Sequence, residues 1–262
     1  GRGELGSRQP TILLLFEMTV KASVAAALKS VHLPERKAMI TLQEILPGHC
    51  FSPAYYIRPD IHSGLLYSRG GYRLAAFPMP LLEAIYAGLR YETGQATRVI
   101  LYNCGREWGE AFFRRIEDEL SRYYQQPLQE LPLGIFLDAL SELWATHGWG
   151  RLELDFSAAD RGLVEARIRN SGFALAARAS LSPEELSAQR EPAGYLEAGM
   201  LAGLFSLLSG RDLVCVQTTC ESLGADLNRF LIGTAQRLHN CEEWVRRGLS
   251  HEEIWDRLAA GS

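Results

Sequence analysis

The chain has 262 residues, of which 47% are hydrophobic and 22% are charged, and its net charge at neutral pH is −4. This length is enough to bury a core, either as one large domain or as a domain with an extension. The composition excludes a strongly basic nucleic-acid-binding chain and an acidic disordered one. Five cysteines without framework spacing favour reduced thiols in a cytosol-like compartment.

Lysine is confined to the start of the chain, at Lys21, Lys29 and Lys37, and every later basic residue is arginine or histidine. The rest of the chain therefore has no lysine for a Schiff base or for a P-loop. This excludes pyridoxal-phosphate enzymes and P-loop NTPases for that part of the chain.

The N-terminal stretch carries two patterns that resemble functional segments. "GRGELG" (1–6) matches G-x-G-x-x-G, but no strand precedes it, so it is not predicted to bind a dinucleotide. Residues 11–31 are apolar but carry Glu17 and Lys21, which favours an amphipathic or buried helix over a membrane span. We predict an N-terminal extension over 1–64, a main domain over 65–235 and a helical tail over 236–262.

Periodicity then predicts a hairpin followed by helices. Residues 64–77 have hairpin chemistry, with Gly70 and Gly71 at the turn. Apolar residues recur at helical spacing from residue 80, and two longer helices are predicted over 97–124 and 132–147. In the helix over 97–124, Gly105 and Gly109 lie beside the apolar stripe, which indicates close approach of a backbone or a ligand.

The period changes to two after residue 150. Segments 151–157 and 163–169 alternate as an antiparallel hairpin with one wet face, and 172–179 reads as a possible third strand. A helix lined by small residues follows, with Ala198, Gly199, Ala202 and Gly203 placed for a close neighbour. A second hairpin spans 213–233, and "SHEE" (250–253) is a capping box that opens a last helix. The order predicts a two-layer α+β fold, an antiparallel sheet with helices packed on one side.

Standard catalytic motifs are absent from the sequence: it has no G-x-S-x-G, H-E-x-x-H, C-x-x-C or calcium loop. What remains is a set of aromatic residues on or beside the helices, which either fill the core or line an apolar pocket for a planar ligand. We predict the pocket between the helices 97–124 and 132–147, near "HGWG". His147 either contacts the ligand or only the last carbonyls of its helix. The candidate ligand-binding residues are Tyr102, Trp108, Phe112, Phe136, Trp144, His147, Trp149 and Tyr195.

Three segments, in this order, resemble the 4-vinyl reductase domain family over residues 72–235: "ILYNCGREWGEAF" (100–112), "GWGRLELDFS" (148–157) and "AGYLEAGMLAGLFSLLSGRDLVCVQTTCESLGADLNRFLI" (193–232). The first two are most similar to versions in photosynthetic bacteria linked to chlorophyll metabolism and photosystem assembly. The resemblance implies a fold shared with Golgi transport-complex subunits, a dimer, and a pocket for a small hydrophobic ligand.

The resemblance also locates a degenerate metal site. Metal-binding members of the family carry two cysteines, a glutamate and a further cysteine where this chain has Ala193, Cys220, Gln217 and Asn228. Only Cys220 remains a ligand, and structural zinc needs four. Cys215 is expected on the opposite face of its strand, because its separation from Cys220 is odd. We therefore predict no zinc and no other resident cofactor, with Cys220 a buried free thiol.

These observations favour a non-catalytic domain that binds a tetrapyrrole resembling a chlorophyll precursor, or another planar hydrophobic molecule, in pigment metabolism or photosystem assembly. One alternative is an enzyme that reduces a vinyl group of a chlorophyll precursor; another is an interaction module without a ligand. We expect a homodimer or an assembly partner, no nucleic acid, and peripheral membrane association through a protein partner. The expected location is the cytoplasm, or the plastid stroma or a membrane periphery in a photosynthetic cell.

Overall fold

The computed structural model describes residues 50–260. The predictions made for "GRGELG", for the helix over 11–31 and for most of the N-terminal extension lie outside the described residues. Among residues 50–260, no helix combines the length and the apolar character that a bilayer crossing requires.

The described chain alternates helical and extended segments. Its α-helices are α1 (Pro53–Tyr56), α2 (Met79–Thr93), α3 (Thr97–Tyr124), α4 (Leu133–Thr146), α5 (Gly172–Ala179), α6 (Pro183–Ala188), α7 (Tyr195–Ser209), α8 (Ala235–Leu238), α9 (Cys241–Arg246) and α10 (His251–Ala259). Its strands are β1 (Ile57–Asp60), β2 (Leu65–Ser68), β3 (Arg73–Leu74), β4 (Arg151–Asp155), β5 (Leu163–Arg169), β6 (Val214–Thr219) and β7 (Asn228–Gly233). The predicted helices over 97–124 and 132–147 are confirmed as α3 and α4.

The strands form two antiparallel sheets. A small sheet has the order β1-β2-β3, and the main sheet has the order β4-β5-β7-β6. Both predicted hairpins of the main sheet are confirmed, and they meet through the pairing of β5 with β7, for example Val164 opposite Ile232. This order leaves β4 and β6 at the edges. The predicted α+β class is confirmed.

Helices α3 and α7 cross in direct backbone contact. A Cβ atom added to Gly105 or Gly109 of α3 would lie less than 3.0 Å from backbone atoms of Leu196 or Met200 on α7. A Cβ atom added to Gly199 would meet the Tyr102 carbonyl in the same way. The small-residue stripes of the two helices therefore face each other. The prediction of close backbone approach is confirmed, and the approaching group is the other helix.

The main sheet is covered on both faces. On one face α3, α4 and α7 enclose the larger core, which includes Ile168, Phe230 and Ile232. On the other face, the tail helices α8–α10 bury a second cluster that includes Leu163 and Leu231. The prediction of helices on one side and a wet opposite face was therefore incomplete. Helix α10 is amphipathic, with Ile254 and Leu258 buried, so its apolar face also needs a partner.

The third predicted strand of this hairpin region, 172–179, is wrong: the segment is helix α5. Alanines occupy four of its eight positions, and alanine is the best helix former. The hydroxyl of Ser171 caps the helix by accepting from the Ala174 amide at 3.0 Å. The sequence contained both signals, but a segment of eight residues is too short for its period to separate strand from helix.

The predicted boundary at residue 64 falls inside the small sheet. Strand β1 lies before this boundary and pairs with β2, which lies after it. Phe51 and Tyr56 are fully buried in the larger core. Residues 50–64 thus pack as part of the main domain, whereas the division into extension, domain and tail stays a prediction.

Candidate functional site

Five of the predicted ligand-binding side chains meet in one place. The rings of Trp108 and Phe112 on α3 lie against those of Trp144 and His147 at the end of α4, with Trp149 at their centre. Phe173 of α5 and Tyr56 of α1 join this group. We call these seven residues the aromatic cluster: Tyr56, Trp108, Phe112, Trp144, His147, Trp149 and Phe173.

Trp149 organises the geometry of the aromatic cluster. Its ring centroid lies 4.5 Å from that of His147 and 4.9 Å from that of Trp108. It also contacts Trp144 edge to face at 5.3 Å and Phe112 at 5.2 Å. These separations are those of aromatic pairs in contact. The cluster is therefore packed as a core, yet two of its polar atoms are not accounted for.

The first of these atoms belongs to His147. Its Nδ1 lies 2.8 Å from the Leu143 carbonyl, which can only accept, so neutral His147 carries its proton on Nδ1. Burial lowers the pKa of His147 below its usual value, and the charge of Arg115 adds to this effect. Its Nε2 is then a bare lone pair, and it is buried without a hydrogen-bond partner among the described residues.

The second atom is the indole nitrogen of Trp144. This side chain is fully buried, and its Nε1 has no hydrogen-bond partner within residues 50–260. Buried polar groups are nearly always paired, and an unpaired one costs free energy. One donor and one acceptor, on neighbouring turns of α4, are thus left open within the aromatic cluster.

The other predicted residues lie elsewhere. Phe136 is buried in the larger core on α4. Tyr102 and Tyr195 instead line a groove of about 490 Å³ between α3, α7, β6 and the tail helices. We call this space the β6 groove. Burial raises the pKa of both tyrosines to about 12, so both hydroxyls keep their protons at neutral pH.

The positions matched to metal ligands are joined by hydrogen bonds. Gln217 accepts from the Gly194 amide at 2.7 Å and donates to Asn228 Oδ1 at 3.1 Å. Asn228 Nδ2 donates to Glu221 Oε2 at 2.7 Å, and Glu221 also accepts from the amides of residues 170 and 171. We call Gln217, Glu221 and Asn228 the amide latch. It joins the loop after β5, the start of α7 and the β6–β7 turn.

Cys220 is a buried free thiol whose sulfur lies 3.0 Å from the Ser222 hydroxyl, which confirms that part of the prediction. The expectation for Cys215 depended on strict alternation along the strand. A bulge between Gln217 and Thr219 breaks that alternation before Cys220. Within residues 50–260, no group of three or more His, Cys, Asp or Glu side chains is arranged for a metal. The zinc content itself stays a prediction.

Sequence reasoning missed two members of the aromatic cluster and the β6 groove. Phe173 was assigned to a strand, so its ring had no predicted place beside α3. Tyr56 lay in the aromatic-rich stretch "FSPAYYIRP" (51–59), which was left irregular. The β6 groove depends on the position of the tail helices against the sheet edge, and no local pattern encodes that.

Comparison with known proteins connects this geometry to a family. Residues 175–234 match the vinyl-4-reductase domain family. This matched segment runs from α5 to the end of β7 and contains the amide latch and helix α7, but less than a quarter of the chain. The predicted resemblance to 4-vinyl reductase domains is thereby supported for the matched segment, whereas the link to photosynthetic bacteria stays a prediction. Comparison with curated protein sequences gave no match.

Solved structures extend the likeness beyond the matched segment. The phenol-responsive sensory domain of the transcription activator PoxR, crystallised with phenol, aligns with a TM-score of 0.57 and 17% identity over 74% of this chain and 92% of that one. This likeness shows a shared fold.

Two further structures align at lower scores, and we draw nothing from them. A vinyl-4-reductase family protein from Methanocaldococcus jannaschii gives a TM-score of 0.39 at 18% identity, over 61% of this chain and 82% of that one. Subunit 3 of a trafficking protein particle complex from Naegleria fowleri, covalently bound to palmitic acid, gives 0.41 at 14% identity, over 59% and 93%.

Proposed function

We propose that the protein binds a small planar aromatic molecule with a hydroxyl group, and that the aromatic cluster is the binding site. The observation that carries the proposal is the pair of unpartnered buried atoms, the Trp144 indole nitrogen and His147 Nε2. A hydroxyl group on an aromatic ring can accept from the first and donate to the second. Rings of this size stack on the faces that Trp149 and Phe112 provide.

The sensory domain of PoxR supports the same ligand class, since it shares the fold and its structure contains phenol. A site with its polar atoms already placed discriminates by hydrogen bonding, because a ligand without the hydroxyl leaves them unpaired. We therefore expect the protein to distinguish a phenol from an unsubstituted arene of the same size.

The experiment is a calorimetric titration of the wild-type protein with phenol and with toluene. We expect phenol to bind at least about tenfold more tightly, which corresponds to one well-formed buried hydrogen bond. The variant His147→Leu should bring the two affinities within about twofold. Phe136→Leu, on the same helix but outside the aromatic cluster, is the matched control and should keep the preference for phenol even if its melting temperature falls.

Failure of wild type to bind phenol would remove this proposal and favour the interaction module without a ligand. Equal affinity for phenol and toluene would leave an apolar pocket but deny the polar atoms their role. Melting temperatures of all variants are measured beside the titrations, because a loss of packing alone lowers stability without changing the ratio of the two affinities.

A tetrapyrrole is the larger ligand that our proposal retains, in pigment metabolism or photosystem assembly. Its support is the resemblance of "YNCGREWG" (102–109) and the bare Nε2 of His147, which suits an axial contact to a metal-containing macrocycle. A macrocycle is much wider than one phenyl ring, so the rings around Trp149 would have to separate. Visible absorption of protein purified from its native host, with and without His147→Leu, tests this ligand directly.

A further inference from the structure

The β6 groove follows an open edge of the main sheet. Strand β6 pairs only with β7, so its other side carries no strand of the described chain. The groove is lined by four consecutive residues of β6, 214–217. Val216 belongs to the cluster on the tail side of the sheet, and Cys215 belongs to the core on the α7 side. Consecutive side chains from both faces place the groove at the strand edge.

The direction of the backbone groups follows from two contacts. The Cys215 amide donates to the Tyr102 hydroxyl at 3.2 Å, and the Leu213 carbonyl accepts from Arg106 at 3.3 Å. Both groups thus point away from β7. In an antiparallel ladder the N–H and C=O of a residue point the same way, and the direction repeats every second residue. The carbonyl of Cys215 and the N–H of Gln217 therefore also face the groove.

These two groups lack partners in the described part of the chain. Arg106 and Tyr102 occupy the first part of the edge, but no side chain or backbone group of residues 50–260 pairs with the Cys215 carbonyl or the Gln217 N–H along the groove. Both residues are less than 9% exposed. Backbone groups removed from water in this way need a hydrogen-bond partner.

We propose that the β6 groove binds the backbone of a short apolar peptide. The spacing from the Cys215 carbonyl to the Gln217 N–H is that which one residue bridges in a parallel ladder. The N–H of that residue donates to Cys215, and its carbonyl accepts from Gln217. A volume of about 490 Å³ lies within the range of ligand sites.

The walls and rim of the groove fit the same occupant. Ala198, Leu238 and Val245 give apolar surface for a side chain. The charged residues of the rim have both signs, with two arginines and two glutamates, and Arg98 already pairs with Glu191 at 3.3 Å. Such a rim favours an uncharged amide backbone over an anionic ligand.

The test uses N-acetyl-leucinamide as the probe and its N-methyl-leucine analogue, which lacks the central N–H, as the matched control. Binding is followed by amide chemical shifts of the ¹⁵N-labelled full chain. We expect a saturable shift at the Gln217 amide with the first compound and at least about tenfold weaker binding of the second. No saturable binding of the first compound, or equal binding of both, overturns the proposal.

Two tryptophan variants on α3 locate the site. Val99 lines the groove and is 56% exposed, so Val99→Trp should fill the mouth and abolish binding without loss of folding. Asn103 is exposed on the next turn and does not line the groove, so Asn103→Trp should bind as wild type does. Binding of octanoate in place of the amide would assign the groove to fatty acids and sink the peptide proposal. Phenol binding should be unchanged in both variants, which separates this test from that of the aromatic cluster.

Discussion

Glu197 is a carboxyl group that sits on the first turn of α7 with no exposed surface. One oxygen accepts from the Ser171 hydroxyl at 2.9 Å, and the other has no partner among the described residues. Burial raises the pKa of Glu197 from 4.5 to about 8, against the opposing effect of the Ser171 hydrogen bond. At neutral pH the native protein therefore holds a proton here that the unfolded chain has lost.

The pH dependence of stability follows from that proton. Because the folded pKa is the higher one, Glu197 favours the native state fully below about pH 4.5, and this contribution is lost as the pH rises through about 8. Glu197→Gln cannot ionise, so its stability relative to wild type should rise by up to about 1.4 kcal/mol per pH unit within this window. Urea unfolding at pH 5, 6, 7 and 8 measures the difference, with exposed Glu92→Gln as the control. Parallel curves for wild type and Glu197→Gln would show that the carboxyl is ionised in the native state.

The amide latch gives a second test at single residues. In Asn228→Asp, the donor that meets Glu221 becomes a second carboxylate, and two buried like charges are costly. We expect a loss of about 2 kcal/mol in the free energy of unfolding, measured in urea at neutral pH. Adding Glu221→Gln restores a donor to the pair and should recover most of the loss. A double variant that is no more stable than Asn228→Asp would contradict the latch.

The metal prediction belongs to the same residues. The described chain closes the positions of the family's ligands with amides and one carboxylate, which suggests that hydrogen bonds hold together the loops that a metal would otherwise join. We expect wild-type protein to contain well under one zinc per chain by elemental analysis. About one zinc per chain, lost together with stability in Cys220→Ala, would contradict both this expectation and the interpretation of the latch.

At the scale of elements, the crossing of α3 and α7 is the most constrained contact in the described fold. Gly199→Ala would drive a Cβ atom into the Tyr102 carbonyl, and a backbone neighbour cannot rotate away as a side chain can. We expect the free energy of unfolding to fall by at least about 3 kcal/mol. Gly88→Ala is the control, since Gly88 is helical with nothing within 4 Å of an added Cβ, and it should gain up to about 1 kcal/mol. Similar effects of both changes in thermal and urea unfolding would deny the close crossing.

Elements differ in how far the sequence predicts them. Helix α3 was predicted to within a residue, because an apolar stripe over 28 residues gives its period no competing interpretation. Helix α5 was missed, because eight residues rich in alanine carry too little period. The aromatic cluster was partly predicted from local density around "HGWG", whereas the open atoms of Trp144 and His147 depend on which neighbours tertiary packing supplies. The β6 groove needs the strand order and the docked tail, and neither is local.

At the scale of the whole molecule, the predicted homodimer needs a surface other than the glycine stripes, which are used inside the chain. The described chain leaves large apolar side chains exposed on α2 and α5, among them Leu81, Ile85 and Leu175 at 41%, 45% and 47%. We expect light scattering to give twice the chain mass of 29.2 kDa, and Ile85→Glu to shift it to one. Tyr91→Glu, also exposed on α2, is the control. A monomer for wild type at micromolar concentration counts against the dimer.

The glycine crossing also has a mechanical consequence. Phe112 in the aromatic cluster and Val99 in the β6 groove lie on α3 about 20 Å apart, at 1.5 Å per residue. With no side chains between them to yield, α3 and α7 behave as one stiff lever. A ligand that tilts the lever at its Phe112 end moves Tyr102 and Tyr195 together at the other, because one is carried by each helix. The width between these two tyrosines then stays fixed, and the groove opens or narrows only by its distance from the tail helix α9.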